Sequence, residues 1–316
     1  MSPDSLTFQS QGVQCAAWHY RATHDGLATD AGRPALVMAH GLAGTKDSGL
    51  APFAEAFAEA GLDVVLFDYR GFGASEGTPR QTVSLASQVD DYRAALTAAG
   101  KLPDVDASRL VLWGVSLAGG HVLSAAAGRH DIAAVVALIP MVDGIAAGVH
   151  ATKTHKKREL LRATGLGVAS KISTARGRGG RMIPVVARPG EVGTFTLPGA
   201  LEEYLSIAGP TWVNEIAADV SLELGTRAPA KAAATLTCPV LVQIADFDRS
   251  APPHAAAKAA FTARAEVRHY PGDHFDVFPG KPFHEPAVKH AVSFLVRHLS
   301  PVLEPSPLVE SEAAHG

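Results

Sequence analysis

Short runs of apolar residues alternate along the chain with amphipathic stretches of helical spacing. Six runs rich in β-branched residues span 35–39, 63–68, 109–114, 132–139, 239–245 and 266–270. The amphipathic stretches span 51–60, 82–98, 117–127 and 254–262. Apolar strands that alternate with helices are typical of a parallel sheet with helices on both faces. Residues 6–20 alternate less regularly and predict an antiparallel hairpin at the sheet edge.

The alternation breaks after the fourth of these runs and resumes near residue 236. We therefore predict an α/β core formed by residues 1–144 and 236–300, with residues 145–235 inserted as a cap or lid. The first part of this insertion is basic, with Lys153, Lys156, Lys157, Arg158, Arg162, Lys171, Arg176, Arg178 and Arg181. These cations favour a solvated helix face, with an anionic substrate or a membrane surface as the alternative. Residues 301–316 are rich in Pro, Glu and Ala and predict a disordered tail.

Composition and charge exclude several classes of protein. With 28 Lys+Arg, 31 Asp+Glu and 47% hydrophobic residues, the chain is neither disordered nor fibrous, and it has no basic footprint for nucleic acid. The start of the chain lacks the basic and apolar regions of a secretory signal. The apolar run 132–142 is too short to insert across a bilayer. The two cysteines, Cys15 and Cys238, do not need to form a disulfide in a chain of this length. We therefore expect a cytoplasmic protein in a reducing environment.

A serine with small neighbours follows the apolar run 109–114 and precedes a helical stretch. Gly114 and Ala118 flank Ser116 at a distance of two residues. A sharp turn from strand to helix leaves little room at those two positions and exposes the serine hydroxyl at the carboxyl end of the strand. The usual pattern for such a turn is G-x-S-x-G. This chain has alanine where the pattern has its second glycine. We predict that Ser116 is a nucleophile, the alternative being a serine that caps the helix.

A base and an acid for this serine follow later in the chain. His274 comes after the last apolar run and is the expected general base. Asp248 follows the run before it and is the favoured acid, with Asp246 and Asp143 as fallbacks. The order serine, aspartate, histidine is the one expected for this type of fold.

An oxyanion hole is expected from backbone amides near the serine. The loop at residues 40–44 follows the first apolar run and contains two glycines, which let the backbone approach closely. The predicted donors are the amides of Leu42 in this loop and of Leu117 next to the serine. His40 is expected to pack and orient the loop rather than to act as a second base.

The sequence offers no site for a metal or a dinucleotide. It has neither a C-x-x-C pair nor an H-E-x-x-H motif. The glycines at 71, 73 and 77 lack the spacing of a dinucleotide loop. We expect no cofactor and no metal.

Together these motifs resemble those of the α/β-hydrolase superfamily. Residues 68–75, Asp-Tyr-Arg-Gly-Phe-Gly-Ala-Ser, look like the D-x-R-G-x-G-x-S segment of the family, and the loops around His40 and His274 match its oxyanion and histidine loops. The resemblance covers about residues 5–145 and 235–300, with the insertion where caps usually occur. Within the superfamily the core is most similar to bacterial esterases near dienelactone hydrolases and X-Pro dipeptidyl peptidases.

The predicted function is hydrolysis of a carboxylic ester or lactone through an acyl-enzyme on Ser116. The alternatives are a peptidase, amidase or thioesterase with the same triad, and a non-catalytic module that binds a ligand under the cap. The expected partner is a small-molecule ester or lactone, and the apolar residues of the insertion leave a homo-oligomer open.

Overall fold

The computed structural model describes residues 1–225 and 229–301. The predicted tail at 301–316 therefore lies outside the described residues, except for its first residue. Cys15 and Cys238 are both free thiols. None of the helices in the described part of the chain is long and apolar enough to cross a membrane.

Ten strands occur in the described residues, and eight of them form one sheet. The strands are β1 (Asp4–Ser10), β2 (Val13–Tyr20), β3 (Arg33–Ala39), β4 (Asp63–Phe67), β5 (Val105–Val115), β6 (Ile132–Leu138), β7 (Met182–Ile183), β8 (Ile216–Ala217), β9 (Val240–Ala245) and β10 (Glu266–Tyr270). The sheet order is β1-β2-β4-β3-β5-β6-β9-β10. Strands β3 to β6, β9 and β10 are parallel, while β1 and β2 form an antiparallel hairpin at one edge. The predicted mostly parallel sheet with an edge hairpin is confirmed.

Helices cover both faces of this sheet. The helices packed on the sheet are α1 (Ala51–Glu59), α2 (Leu85–Ala99), α3 (Leu117–Ala126), α8 (Pro253–Thr262) and α9 (His284–Leu299). The other α-helices of the described residues are α4 (Gly144–Thr154), α5 (Lys157–Ala175), α6 (Ala200–Ile207) and α7 (Val220–Leu224). Helix α1 packs with α9, and α2 packs with α3. Every residue of β4 and β9 is buried. Because successive side chains of a strand point to opposite faces, burial of all of them requires cover on both sides.

A buried tyrosine joins the ends of two central strands. The hydroxyl of Tyr92, on α2, accepts a hydrogen bond from the amide of Ala39 at 3.1 Å and donates one to the carbonyl of Trp113 at 2.8 Å. The carboxyl ends of β3 and β5 are thereby held together. The loops that carry His40 and Ser116 begin at these two ends.

The segment between β6 and β9 lies outside the large sheet. It contains helices α4 to α7, the two-stranded sheet of β7 and β8, and a 3-10 helix at Pro229–Thr235. Hydrogen bonds fasten it to loops of the core. The amide of Ala217 donates to the carbonyl of Gln81 at 2.8 Å, and the amide of Thr211 donates to a carboxylate oxygen of Asp47 at 2.9 Å.

Candidate active site

Ser116 occupies a strained turn between β5 and α3. Its φ of 57° lies in the left-handed region, which is costly for a residue with a side chain. Two hydrogen bonds hold this conformation, both at 2.9 Å. The Ser116 amide donates to the carbonyl of Leu138 at the end of β6, and the Ser116 carbonyl accepts from the amide of Met141 in the loop that follows. The side chain therefore stands at the carboxyl end of the sheet.

Small residues allow this turn to close. A Cβ on Gly114 would lie 2.4 Å from the carbonyl oxygen of Ala118, so no side chain fits at position 114. The methyl group of Ala118 is accommodated and fully buried. A Cβ on Gly119 would lie 2.8 Å from a side-chain carbon of Pro140. The close approach of α3 to the loop after β6 thus requires glycine at 119 and accepts alanine at 118.

The structure brings Asp248 and His274 together. Nδ1 of His274 lies 2.7 Å from Oδ2 of Asp248, and both side chains are buried. The other oxygen of Asp248 accepts hydrogen bonds from the amides of Ser250 and Ala251, each at 2.7 Å. A carboxylate held at both oxygens fixes the orientation of the imidazole ring.

The two fallback aspartates are placed elsewhere. Asp246 is 39% exposed and pairs with His269 at 2.6 Å. Asp143 caps α4, where its Oδ1 accepts hydrogen bonds from the amides of Ile145 and Ala146. Only Asp248, of the three candidates, lies against His274.

Opposing effects set the charge of His274. Burial disfavours the imidazolium, but the charge and the hydrogen bond of Asp248 outweigh burial and raise the pKa of His274 above its ordinary value of 6.5. Asp273 adds a smaller effect in the same direction. The ring is therefore a stronger base than an isolated histidine.

The loop after β3 approaches Ser116 closely. A Cβ on Gly41 would lie 2.8 Å from the Cβ of Ser116, so glycine is required there. The predicted oxyanion donors, the amides of Leu42 and Leu117, have no acceptor among the residues that the structure describes. Their N–H groups are free to bind an oxygen atom of a ligand.

A buried ion pair that the sequence analysis missed holds this loop. Nζ of Lys46 lies 2.7 Å from Oδ2 of Asp68, and the amide of Lys46 donates to Oδ1 at 2.6 Å. The Asp68 carboxylate also accepts from the amide of Ala74 at 2.9 Å. The first aspartate of the 68–75 motif thus ties the loop after β3 to the end of β4. The motif itself was the signal, but its partner lysine was not recognised.

His40 packs against aromatic rings, as a residue that orients the loop would do. Its ring stacks on Phe278 with centroids 5.8 Å apart. Burial lowers the pKa of His40 to about 4, so the ring is neutral at physiological pH. A neutral, enclosed ring of this kind suits packing better than proton transfer.

A cavity of 450 Å³ lies over Ser116 between the core and the segment after β6. The walls are mainly apolar and include Met141, Leu160, Phe195 and Leu197, with Leu42 and Leu117 beside Ser116. Arg162 and Arg249 also contribute to the walls. Residues of α4 and α5 contribute a large part of the wall, so the segment after β6 completes the cavity.

His274 lies beside this cavity rather than in its wall. It lines a smaller cavity of 60 Å³, and Leu197, Arg249 and Ser250 belong to both cavities. No hydrogen bond joins Ser116 Oγ to His274 in the described part of the chain. Such contacts between nucleophile and base are often looser before substrate binds.

A second ion pair that the sequence analysis missed connects the loop that carries Asp248 to the loop that carries His274. The Arg249 side chain binds Asp273 at 2.5 Å, and its amide donates to the same carboxylate at 2.9 Å. Asp273 precedes His274 and Arg249 follows Asp248. The opposite charges next to the two predicted residues were the available signal.

The parallel sheet with helices on both faces is the fold class of the α/β hydrolases, and comparison with known proteins gives the family. Residues 30–172 match the family model described as serine aminopeptidase, S33. The quorum-quenching protein AidA of Acinetobacter baumannii is 35% identical over 299 residues, which cover 94% of this chain and 95% of that protein. The chain belongs to the α/β-hydrolase superfamily, as the motifs predict. Its place near dienelactone hydrolases remains a prediction.

Two further proteins show the range of the likeness. The crystal structure of the α/β-hydrolase GrgF from Penicillium sp. sh18 has a TM-score of 0.76 at 22% identity, covering 95% of this chain and 99% of that one. The thiohydrolase aneE of Aspergillus aculeatus is 38% identical over 114 residues, 36% of each chain. The first similarity concerns the fold alone, and the second concerns about a third of the sequence.

Proposed function

We propose that the protein is a serine hydrolase that cleaves a carboxylic ester or a lactone, with Ser116, His274 and Asp248 as its triad. The observation that carries this proposal is the strained Ser116 in the wall of an apolar cavity, with the buried Asp248–His274 pair beside it. Strained residues in a cavity wall mark functional sites when the surrounding structure holds them in place.

The mechanism is two-step acyl transfer. Ser116 Oγ attacks the carbonyl carbon while its proton passes to His274, and the amides of Leu42 and Leu117 bind the resulting oxyanion. The bond to the leaving oxygen then breaks, and His274 returns the proton to that oxygen. In the second step His274 takes a proton from water, whose oxygen attacks the acyl carbon. The bond from this carbon to Ser116 Oγ then breaks, His274 returns the proton to Oγ, and the acid is released.

The cavity supports a substrate with an apolar acyl group. The quorum-quenching name of the Acinetobacter relative is compatible with a small signalling ester or lactone. The thiohydrolase name supports thioesters as the second candidate class. An aminopeptidase would need a carboxylate for the substrate amine, but the cavity acids Glu159 and Glu191 accept hydrogen bonds from nearby backbone amides.

We further propose that residues 145–235 act as a cap over a core of residues 1–144 and 236–300. The hydrogen bond from the Tyr204 hydroxyl to the carbonyl of Leu42, at 2.9 Å, supports this reading because it links the segment to the oxyanion loop. A cytoplasmic location is supported by the free thiols of Cys15 and Cys238, since reducing compartments keep cysteines unpaired.

A panel of aryl esters, acyl lactones, acyl thioesters and aminoacyl anilides tests the proposed reaction. We expect turnover of esters or lactones that falls by several orders of magnitude in Ser116→Ala. Ser221→Ala is the matched control, since Ser221 lines the same cavity but donates to the carbonyl of Ala218, and it should retain activity. More than about a tenth of the activity left in Ser116→Ala would refute the assignment.

A further inference from the structure

Exposed apolar side chains cluster on the outside of helices α4 and α5. Leu161 and Ile145 are each 74% exposed, and Val149, Val168 and Ile172 are also exposed. On α5 the spacing of Leu161, Val168 and Ile172 is that of a single helix face. Half-exposed apolar residues are ordinary when scattered, but a stripe along one helix marks an interaction surface.

Unpaired cations surround this stripe. Segment 145–181 contains nine basic residues and one acidic residue, Glu159, in a chain whose total charge is −3. None of the nine forms an ion pair among the residues that the structure describes. An apolar helix face with free cations at its borders is the pattern of a helix that lies in the interface of an anionic bilayer.

We propose that the outer face of α4 and α5 is a docking surface for an anionic lipid bilayer. The apolar side chains enter the headgroup boundary, and the cations bind the negative surface. The protein lies on the membrane and does not span it. A second copy of the chain fits this face poorly, because a two-fold interface would place one strongly basic surface against another.

Docking on this face would bring the membrane close to the cavity over Ser116. The inner sides of the same helices line the cavity through Ala151 and Leu160. A helix is about 10 Å across, so a bilayer on the outer face lies one helix away from the cavity over Ser116. This inference rests on the proposed function: an acylated substrate that partitions into membranes would pass from the bilayer to the cavity.

Vesicle co-sedimentation tests the proposal directly. The full chain is mixed with vesicles of phosphatidylglycerol and phosphatidylcholine, and separately with phosphatidylcholine alone. We expect binding to the anionic vesicles that weakens with salt and little binding to the neutral ones. Failure to bind the anionic vesicles at low salt would overturn the proposal.

Two variants outside the cavity separate the charge contribution from the apolar one. The triple change Lys157→Gln, Lys171→Gln and Arg176→Gln should weaken the partition coefficient on the order of a hundredfold, since each basic residue contributes about fivefold. Leu161→Ser should weaken it about tenfold, since it removes an inserted leucine. Each variant has a matched control that should bind as the unaltered protein does. The control for the charge variant is the triple change Lys101→Gln, Lys258→Gln and Lys289→Gln, and the control for Leu161→Ser is Phe261→Ser on α8. Equal losses in the controls would overturn the proposal.

Two other occupants give different results. If Leu161→Ser leaves vesicle binding unchanged while the charge variant loses it, the surface binds acidic macromolecules in general and the lipid proposal is wrong. If Leu161→Ser instead converts a dimer into a monomer in sedimentation velocity, the face is an interface between copies. Vesicle binding and ester turnover are separate readouts, so a failure of the lipid proposal is distinct from a failure of the proposed function.

Discussion

At the scale of single residues, the electrostatic balance at His274 sets the pH at which the site works. As the proposed general base, His274 must be neutral to accept the proton of Ser116. Because Asp248 raises the pKa of His274 above 6.5 against the effect of burial, the imidazole is protonated over a wider acid range than an isolated histidine. We therefore expect kcat/KM to rise with pH through a midpoint above 6.5.

Replacing Asp248 should reverse that shift. In Asp248→Asn the negative charge is lost and burial remains, so the pKa of His274 falls and the acid limb of kcat/KM moves below pH 6.5. The same change should lower kcat by about 10³ to 10⁴-fold, since the wrong tautomer is favoured. The exposed Asp246, changed to Asn, is the matched control and should leave the limb where it is. An acid limb that does not move in Asp248→Asn would exclude Asp248 as the partner of the base.

The catalytic candidates were predictable at this scale because each one follows an apolar strand. Ser116, Asp248 and His274 come directly after recognisable runs, and parallel strands place their carboxyl ends on one edge. Among the three aspartates the sequence favoured Asp248, but it did not exclude the other two. The choice depends on loop conformations after β6 and β9, which put Asp143 at a helix end and Asp246 at the surface.

At the scale of elements, the Lys46–Asp68 pair joins the loop after β3, which carries the proposed oxyanion donor Leu42, to the end of β4. Both side chains are nearly inaccessible, and the Lys46 ammonium also lies 5.0 Å above the ring of Trp18. Removing one member of a buried pair leaves an uncompensated charge. The pair therefore fixes the loop on which the Leu42 amide depends.

Lys46→Met should lower the free energy of unfolding by about 3 to 5 kcal/mol, because Asp68 would remain buried without its cation. Urea denaturation monitored by circular dichroism measures the change. Arg21→Met is the control: its partner Asp4 is largely exposed and the pair is screened by solvent, so we expect little change in stability. A Lys46 variant as stable as the Arg21 variant would contradict a structural role for the buried pair.

Strands were predicted more completely than loops and the insertion. All six runs correspond to strands, and in β3, β4, β5, β6 and β9 burial on both faces leaves a nearly continuous apolar sequence. The sixth, β10, lies at the sheet edge and is only partly buried. The short pair β7 and β8 was not predicted, since two residues carry no periodic signal. The contact of Lys46 with Asp68 was not predicted either, because it depends on β3 and β4 being neighbours in the sheet.

At the scale of the whole molecule, the cavity over Ser116 is formed jointly by the core and the segment after β6. Ser116 and Leu117 come from the core, while Ala147, Leu160 and Phe195 come from the insertion. The Phe195 ring also lies 6.5 Å from the His274 ring, centroid to centroid. Cavity size and cavity chemistry are therefore set by residues far apart in the sequence.

The size of this cavity predicts a chain-length profile. For a series of acyl esters, kcat/KM should rise about fourfold for each methylene that the walls enclose, then level off when the cavity is full. Ala147→Phe, which narrows the cavity, should move the plateau to shorter acyl chains. Ala175→Phe at the exposed end of α5 is the control and should leave the profile unchanged. An identical profile in Ala147→Phe would show that the acyl group binds elsewhere.

The central claim is that Ser116 is an activated nucleophile, and covalent labelling tests it without knowledge of the substrate. The protein is treated with a fluorophosphonate, and its intact mass and peptide map are measured beside those of Ser116→Ala. We predict one adduct that maps to Ser116, is absent from the variant and forms more slowly in Asp248→Asn. A folded protein that forms no adduct, or one labelled equally in Ser116→Ala, would contradict the account and favour a ligand-binding module.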